Sequence, residues 1–218
     1  MTADVIPIKP VPHNGFASTS DAEALAIVLG NGGGDATVIA AGLLSRAGGL
    51  DGLKRMGAAD LERFPGIGPA RAARIRAALE LAVRLGAQPL NAATPIRSSR
   101  DVFSALRSRL RGEAREHFIA IALDARNRPV AEITVAIGGL SSCAVSPADC
   151  FREIVRESAG AVIFVHNHPS GECAPSDEDV ALTERLRKAG ELIGIRVLDH
   201  IIVGGDSYYS FLDSGLLR

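Results

Sequence analysis

A break in periodicity at residues 87–97 constrains this chain more than any other feature. The segment AQPLNAATPIR carries two prolines and neither a helical nor a strand period, so no regular element is expected to run through it. Before it, from Ser18 onward, apolar residues recur at helical spacing between glycine-bearing turns. After it, short apolar or alternating runs are interleaved with amphipathic helices. The chain therefore reads as a tail at 1–17, an all-helical domain at 18–88, a linker at 89–97 and an α/β domain at 98–218. Two small domains suit a total of 218 residues.

In the first half, Ser18, Thr19 or Ser20 caps a helix beginning at Asp21, with Ala24, Leu25, Ile27 and Val28 on its apolar stripe. Further helices are expected at 35–47, 50–56 and 69–85. The run Gly30-Asn31-Gly32-Gly33-Gly34 ends a helix and is no phosphate cradle, because it lacks a preceding strand and the GK[ST] ending. In the second half the pattern gives helices at 99–111, 147–159 and 177–193. Strands are expected at 117–124, 130–137, 161–165, 195–203 and 207–211.

Charge and cysteine content narrow the function classes. Twenty-four Lys and Arg nearly balance 25 Asp and Glu, so the whole surface cannot grip nucleic acid by its field. With no Trp and 4% aromatics, a stacking platform for single-stranded bases is equally disfavoured. Cys143, Cys150 and Cys173 are an odd, scattered set without a CxxC pair, which points away from a disulfide framework or a four-cysteine zinc site. The opening residues lack the pattern of a signal peptide and no apolar stretch reaches membrane-spanning length. The expected setting is the reducing cytoplasm, with no membrane partner.

The densest chemistry lies in Phe164-Val165-His166-Asn167-His168-Pro169-Ser170-Gly171 and the following Pro175-Ser176-Asp177-Glu178-Asp179. His166 and His168 stand two apart directly after a strand-like run, and the strand period of two places both imidazoles on one face. Asp179 falls in the first turn of the next helix, within reach of them. Two His and one Asp leave a fourth position open, the ligand count of a catalytic zinc site; a structural site is closed by four protein ligands. The bland readings stand beside this one: an exposed His pair without a metal, and Ser176-x-x-Asp179 as a helix-capping box.

The string His166-x-His168-Pro169, six residues, Ser176-x-x-Asp179 resembles the JAMM (MPN+/JAB) motif, with the spacing of its bacterial RadC branch. REHF at 115–118, HNHPSG at 166–171, PSDED at 175–179 and LDHIIVG at 198–204 are similar to the RadC family, and the resemblance extends over nearly all of 18–218. It implies a cytidine-deaminase-like α/β/α sandwich holding one zinc per chain through His166, His168 and Asp179. It further implies a zinc hydrolase in which zinc-activated water attacks a peptide or isopeptide-like amide of a peptide or protein substrate. Glu116 matches the upstream glutamate that serves as general base, with Glu113 and Glu132 as competitors, and Ser176 would stabilise the oxyanion or act as a cap only. Cys173 lies inside the loop and is a conceivable competing ligand. Ser146 stands where many relatives carry His. Asp199 and His200 form either a pair behind the site or separate core residues, and neither His13 nor His117 has an evident partner. Nucleobase deamination is excluded because HxE and PCxxC are both absent, and a nuclease is weaker because one zinc is not a two-metal site.

The helical half carries Leu61-x-x-Phe64-Pro65-Gly66-Ile67-Gly68-Pro69-Ala70, which resembles a helix-hairpin-helix motif. Free N–H groups around Gly66 and Gly68 at a helix start suit a DNA phosphate, and Arg71, Arg74 and Arg76 would extend sequence-independent contact. The same turn also packs helices in proteins that touch no DNA. Residues 1–90 hold nine Lys and Arg against eight Asp and Glu, scarcely a basic domain. A DNA-associated repair or recombination accessory protein, with a zinc centre that is structural, vestigial or acts on a non-peptide substrate, is therefore the competing functional class.

Overall fold

The computed structural model describes residues 19–30, 34–86, 90–138 and 145–217. Expectations placed on the tail, His13, Cys143, the middle of the glycine run and the start of the linker lie outside them. The described residues form two compact units, one up to Arg84 and the other from Leu85.

The first unit is helical: α1 (Asp21–Leu29), α2 (Gly34–Ala47), α3 (Leu50–Arg55), α4 (Ala58–Glu62) and α5 (Pro69–Gly86). Of the three candidate caps for α1, Ser20 is the one used; it and Glu23 satisfy each other's backbone N–H groups in a capping box. Leu25, Leu29, Leu43, Leu53, Leu61 and Ile75 make its core. Among the described residues, no helix is long and apolar enough to cross a membrane.

The second unit runs α6 (Ser99–Leu110), β1 (His117–Leu123), β2 (Pro129–Ile137), α7 (Pro147–Arg156), β3 (Ala161–Asn167), α8 (Asp177–Ile193), β4 (Arg196–Gly204) and β5 (Ser207–Ser210). The strands form one sheet in the order β2-β1-β3-β4-β5, in which β3 and β4 are parallel and every other pair antiparallel. Val102, Phe103 and Leu106 of α6 cover one face with Ile119, Ile121, Ile163 and Val165. Phe151 and Ile154 of α7, with Leu182 and Leu186 of α8, cover the other with Phe118, Val162 and Phe164. Helices on both faces explain the unbroken apolar run of β3, while β2, at the edge, alternates. The result is the three-layer α/β/α arrangement.

Several details depart from the sequence pattern: α4 is a separate short helix, and β3 runs two residues further than expected, to Asn167. The described part of the 87–97 segment is laid on the second unit: Leu90 and Ile96 pack on the α6-side core, and the Ile96 N–H donates to the Asn127 carbonyl at 2.9 Å. Helix α7 closes three residues earlier than its spacing predicts, because Ser158 takes a φ of 53° and the Ala159 N–H turns back to the Ile154 carbonyl.

Candidate metal centre

Strand β3 runs through His166 and ends at Asn167, at the carboxyl end of the parallel pair, where open α/β sheets place their ligands. Antiparallel register sets Phe118 of β1 opposite His166, so the side chains at 118 and 166 share the sheet face covered by α7 and α8. His168 follows two residues on, and its backbone N–H is held by the Val203 carbonyl at 3.1 Å.

Asp179 reaches the histidines because its helix is capped. The Asp179 N–H donates to Ser176 Oγ at 3.2 Å. The Ser176 N–H and hydroxyl donate to Asp179 Oδ2 at 2.9 and 2.7 Å. The capping reading and the ligand reading of Ser176-x-x-Asp179 are thus one geometry: the cap aims the carboxylate. Asp179 Oδ1 lies 3.1 Å from His166 Nε2, Asp179 Oδ2 lies 3.3 Å from His168 Nε2, and the two Nε2 atoms are 3.0 Å apart. Among the described residues this is the one group of three or more His, Cys, Asp or Glu side chains gathered closely enough to share an ion.

The donor set fits zinc. Oδ1 of Asp179 is buried and accepts no hydrogen bond, with His166 Nε2 3.1 Å away. A buried carboxylate oxygen without a donor is costly unless a cation takes that place. Two imidazoles and one carboxylate are the nitrogen and oxygen donors zinc accepts. Neither His166 nor Asp179 has side-chain exposure, whereas His168 keeps 15%, so the cluster opens to solvent on one side only.

The local field suits an ionised carboxylate. Burial pushes Asp179 up, yet the His166 and His168 imidazoles and the Ser176 hydroxyl together hold it well below the usual carboxylate range. His168 is raised, chiefly by the Asp179 carboxylate, and the Glu116 charge adds to that rise.

Glu116 lies one residue before β1, near enough to His168 for its charge to act on that ring. Its competitors lie elsewhere. Glu132 sits opposite Ile121, on the α6 face, and pairs with Arg109. Glu113 lies 3.7 Å from His117 Nε2, which also supplies the partner that the sequence did not reveal for His117. Cys173 Sγ contacts Ser207 Oγ at 3.4 Å and is outside the metal cluster. Ser146 caps α7.

The side chains of Asp199 and His200 do not pair, although the His200 backbone N–H donates to Asp199 Oδ1 at 2.7 Å. Successive residues of β4 point to opposite faces: Asp199 accepts from Ser210 Oγ at 2.7 Å and from the Leu212 N–H at 2.9 Å, away from the site. His200, fully buried, faces the metal cluster with Nε2 at 2.9 Å from His166 Nδ1 and Nδ1 at 2.6 Å from Thr183 Oγ1. Burial depresses its pKa well below the usual histidine value and keeps it neutral.

Three further residues shape the site without a signal in the motif. Thr183 faces inward from α8. Asn167 continues the β3–β1 ladder with its side chain, accepting from the His117 N–H at 2.8 Å and donating to the Arg115 carbonyl at 3.1 Å, so it fixes the peptides on both sides of Glu116. Gly204 lets the 171–173 loop lie against β4, since a Cβ there would stand 2.6 Å from Cys173 N and from Glu172 C. That close approach delivers the Glu172 carbonyl to His168 Nδ1 at 3.0 Å.

The turn before α5 is built differently. Gly66 takes a φ of 85°, and a Cβ on it would lie 2.6 Å from Ile39 Cδ1; at Gly68 a Cβ would meet nothing within 4 Å. Arg71 donates to the Gly66 carbonyl at 2.6 Å, Arg74 to Leu29 at 3.0 Å, and Arg76 to Lys54 and Met56 at 2.9 and 3.2 Å. The latter two arginines tie off the ends of α1 and α3.

Comparison with known proteins agrees with both halves. The sequence matches the family described as RadC-like JAB domain over residues 96–216 and the one described as UPF0758 N-terminal over residues 11–73. A UPF0758 protein of Syntrophotalea carbinolica is 44% identical over 98% of this chain and 96% of its own length. One from Staphylococcus haemolyticus is 38% identical over 99% and 95%, and one from Chloroflexus aurantiacus 41% over 96% and 93%. By its sheet, its His-His-Asp cluster and these matches, the chain belongs to the RadC family, a JAMM-like JAB domain following an N-terminal helical domain.

Proposed function

We propose that the second unit is a zinc-dependent hydrolase of the JAMM metallopeptidase type, cleaving a peptide or isopeptide-like amide. The observation that supports this best is the convergence of two imidazole nitrogens on a buried carboxylate whose Oδ1 has no hydrogen-bond donor. His166, His168 and Asp179 would hold one zinc. Zinc there supplies a Lewis acid that polarises an amide carbonyl and acidifies water.

Glu116 takes the proton of the attacking water and returns it to the leaving amine, a role that suits its place near His168. Asn167 holds the backbone on either side of that glutamate. The Ser176 hydroxyl proton is directed to Asp179 Oδ2. Stabilising an oxyanion would require this hydroxyl to turn away from Asp179, so its first task is aiming the carboxylate. The one exposed edge, at His168, is where an extended substrate would enter.

The test is metal analysis paired with cleavage of a quenched peptide library and an isopeptide-linked conjugate. Glu116→Gln should keep zinc and lose roughly 10²–10⁴-fold in hydrolysis. Undiminished cleavage by that variant would remove Glu116 from the mechanism, and a wild-type protein that binds no zinc would overturn the proposal.

A further inference from the structure

The hydrogen-bond chain behind His166 has only one consistent direction. The Asp179 backbone carbonyl can only accept, so at 2.6 Å the Thr183 hydroxyl must donate to it. That hydroxyl has one proton, so at the other 2.6 Å contact Thr183 Oγ1 accepts, and His200 Nδ1–H donates. His200 is fully buried and its ring nitrogens meet only a hydroxyl and another imidazole, with no carboxylate to hold a second proton, so its Nε2 carries a lone pair and accepts from His166 Nδ1–H at 2.9 Å. His166 then presents a bare Nε2 to the cluster. On the other ligand, the Glu172 carbonyl also can only accept, so His168 donates through Nδ1, and in its neutral, metal-binding form it likewise presents a bare Nε2.

With both rings neutral, the two Nε2 atoms, 3.0 Å apart, face each other and the Asp179 carboxylate with lone pairs. A bound zinc ion would take up all three. The chain of donors also leaves one ligand residue, crosses from β3 to β4 and α8, and ends on the backbone of another ligand residue.

We infer that His200 and Thr183 are positioning residues that fix His166 as the Nδ1–H tautomer and so keep its Nε2 open to the ion. This rests on the metal reading above and extends it to two residues outside the ligand set. In Thr183→Val, His200 Nδ1 loses its acceptor, His200 is free to carry its proton on Nε2, and His166 is then driven to place its own proton toward the metal. Thr183→Ser retains the hydroxyl and should restore the wild-type behaviour.

The experiment uses the full chain stripped of metal and titrated with zinc against a chromophoric chelator, alongside nitrogen-15 imidazole shifts of the metal-free protein. The expected result is a loss of about 10–100-fold in zinc affinity for Thr183→Val, wild-type affinity for Thr183→Ser, and an Nδ1–H signature at His166 and His200 that is lost only in the valine variant. Wild-type zinc affinity in Thr183→Val, or an Nε2–H signature at His166 in the unsubstituted protein, would overturn the inference. Should the unsubstituted protein bind no zinc, the metal reading fails, and the tautomer signature still decides the relay separately. The same signature decides it if the valine variant does not fold.

Discussion

The HNHP segment and the PGIG turn both looked chemically loaded in sequence, and the fold treats their polar groups in opposite ways. Around PGIG, the arginines are tied to the unit: each of Arg71, Arg74 and Arg76 donates through Nη1 to a backbone carbonyl. Around HNHP, polar atoms are turned on one another: the ring nitrogens face a carboxylate, and Asp179 Oδ1 is left without a donor in a buried setting. Satisfied polar groups hold a structure together, whereas a buried group left short is conspicuous and calls for a ligand. Residue types alone do not separate the two cases, because arginines and histidines are equally apt for either.

The comparison breaks most clearly at the ligands. His166→Ala or Asp179→Ala should reduce bound zinc from about one per chain to none, read by metal analysis, while the helical unit keeps its folded signal. Next in size is Gly66→Ala, which forces a side chain into a positive-φ position and against Ile39. It should lose about 1–3 kcal/mol of stability, with zinc content unchanged, as chemical denaturation would show. Arg74→Ala removes a part-buried bond to the end of α1 and should lose about 1 kcal/mol. Gly68→Ala, with open space at its Cβ, should stay within about 0.5 kcal/mol. Duplex binding that weakens with salt and disappears in Arg71→Ala would break the comparison from the other side, by showing that an arginine tied to the unit still serves a ligand.

The smallest expected effect concerns Asp199, whose carboxyl is raised above its ordinary 3.8 by burial, against the pull of Ser210, Leu212 and His200. The folded state therefore prefers the protonated acid. The associated stability is full below the ordinary value and is lost as pH rises through the higher folded value. In Asp199→Asn this titration is absent, so the variant should gain on the wild type as pH rises above the ordinary 3.8 and through the higher folded value. Thermal unfolding of the metal-free proteins across that range would register it; a gap that moves the other way would contradict the burial argument.

Much of the site is legible because its spacing is local. His166 and His168 share a strand face by the period of two, and Ser176 fixes Asp179 through a cap that spans three residues. Glu116 is only partly legible: its distance from the motif is set by the register of β1 on β3, which no local pattern encodes. His200 gave a faint signal as a polar residue inside the apolar run of β4. Thr183 gave less, a lone hydroxyl between Leu182 and Leu186 on the buried side of α8. Asn167 is the middle residue of HNH, and its side chain holds the peptides on both sides of Glu116.

The sequence by itself determined the division into a helical and an α/β half, the order of the elements and the three candidate ligands, because these follow from periodicity, capping and spacing within a few residues of one another. Only the tertiary structure decided that Glu132 lies on the α6 face and pairs with Arg109, and that Thr183 and His200 stand behind His166. Those facts depend on strand register and helix docking, which bring residues far apart in the chain within hydrogen-bond reach. Contacts of that kind are fixed by the packing of whole elements and leave no mark in any short stretch of sequence.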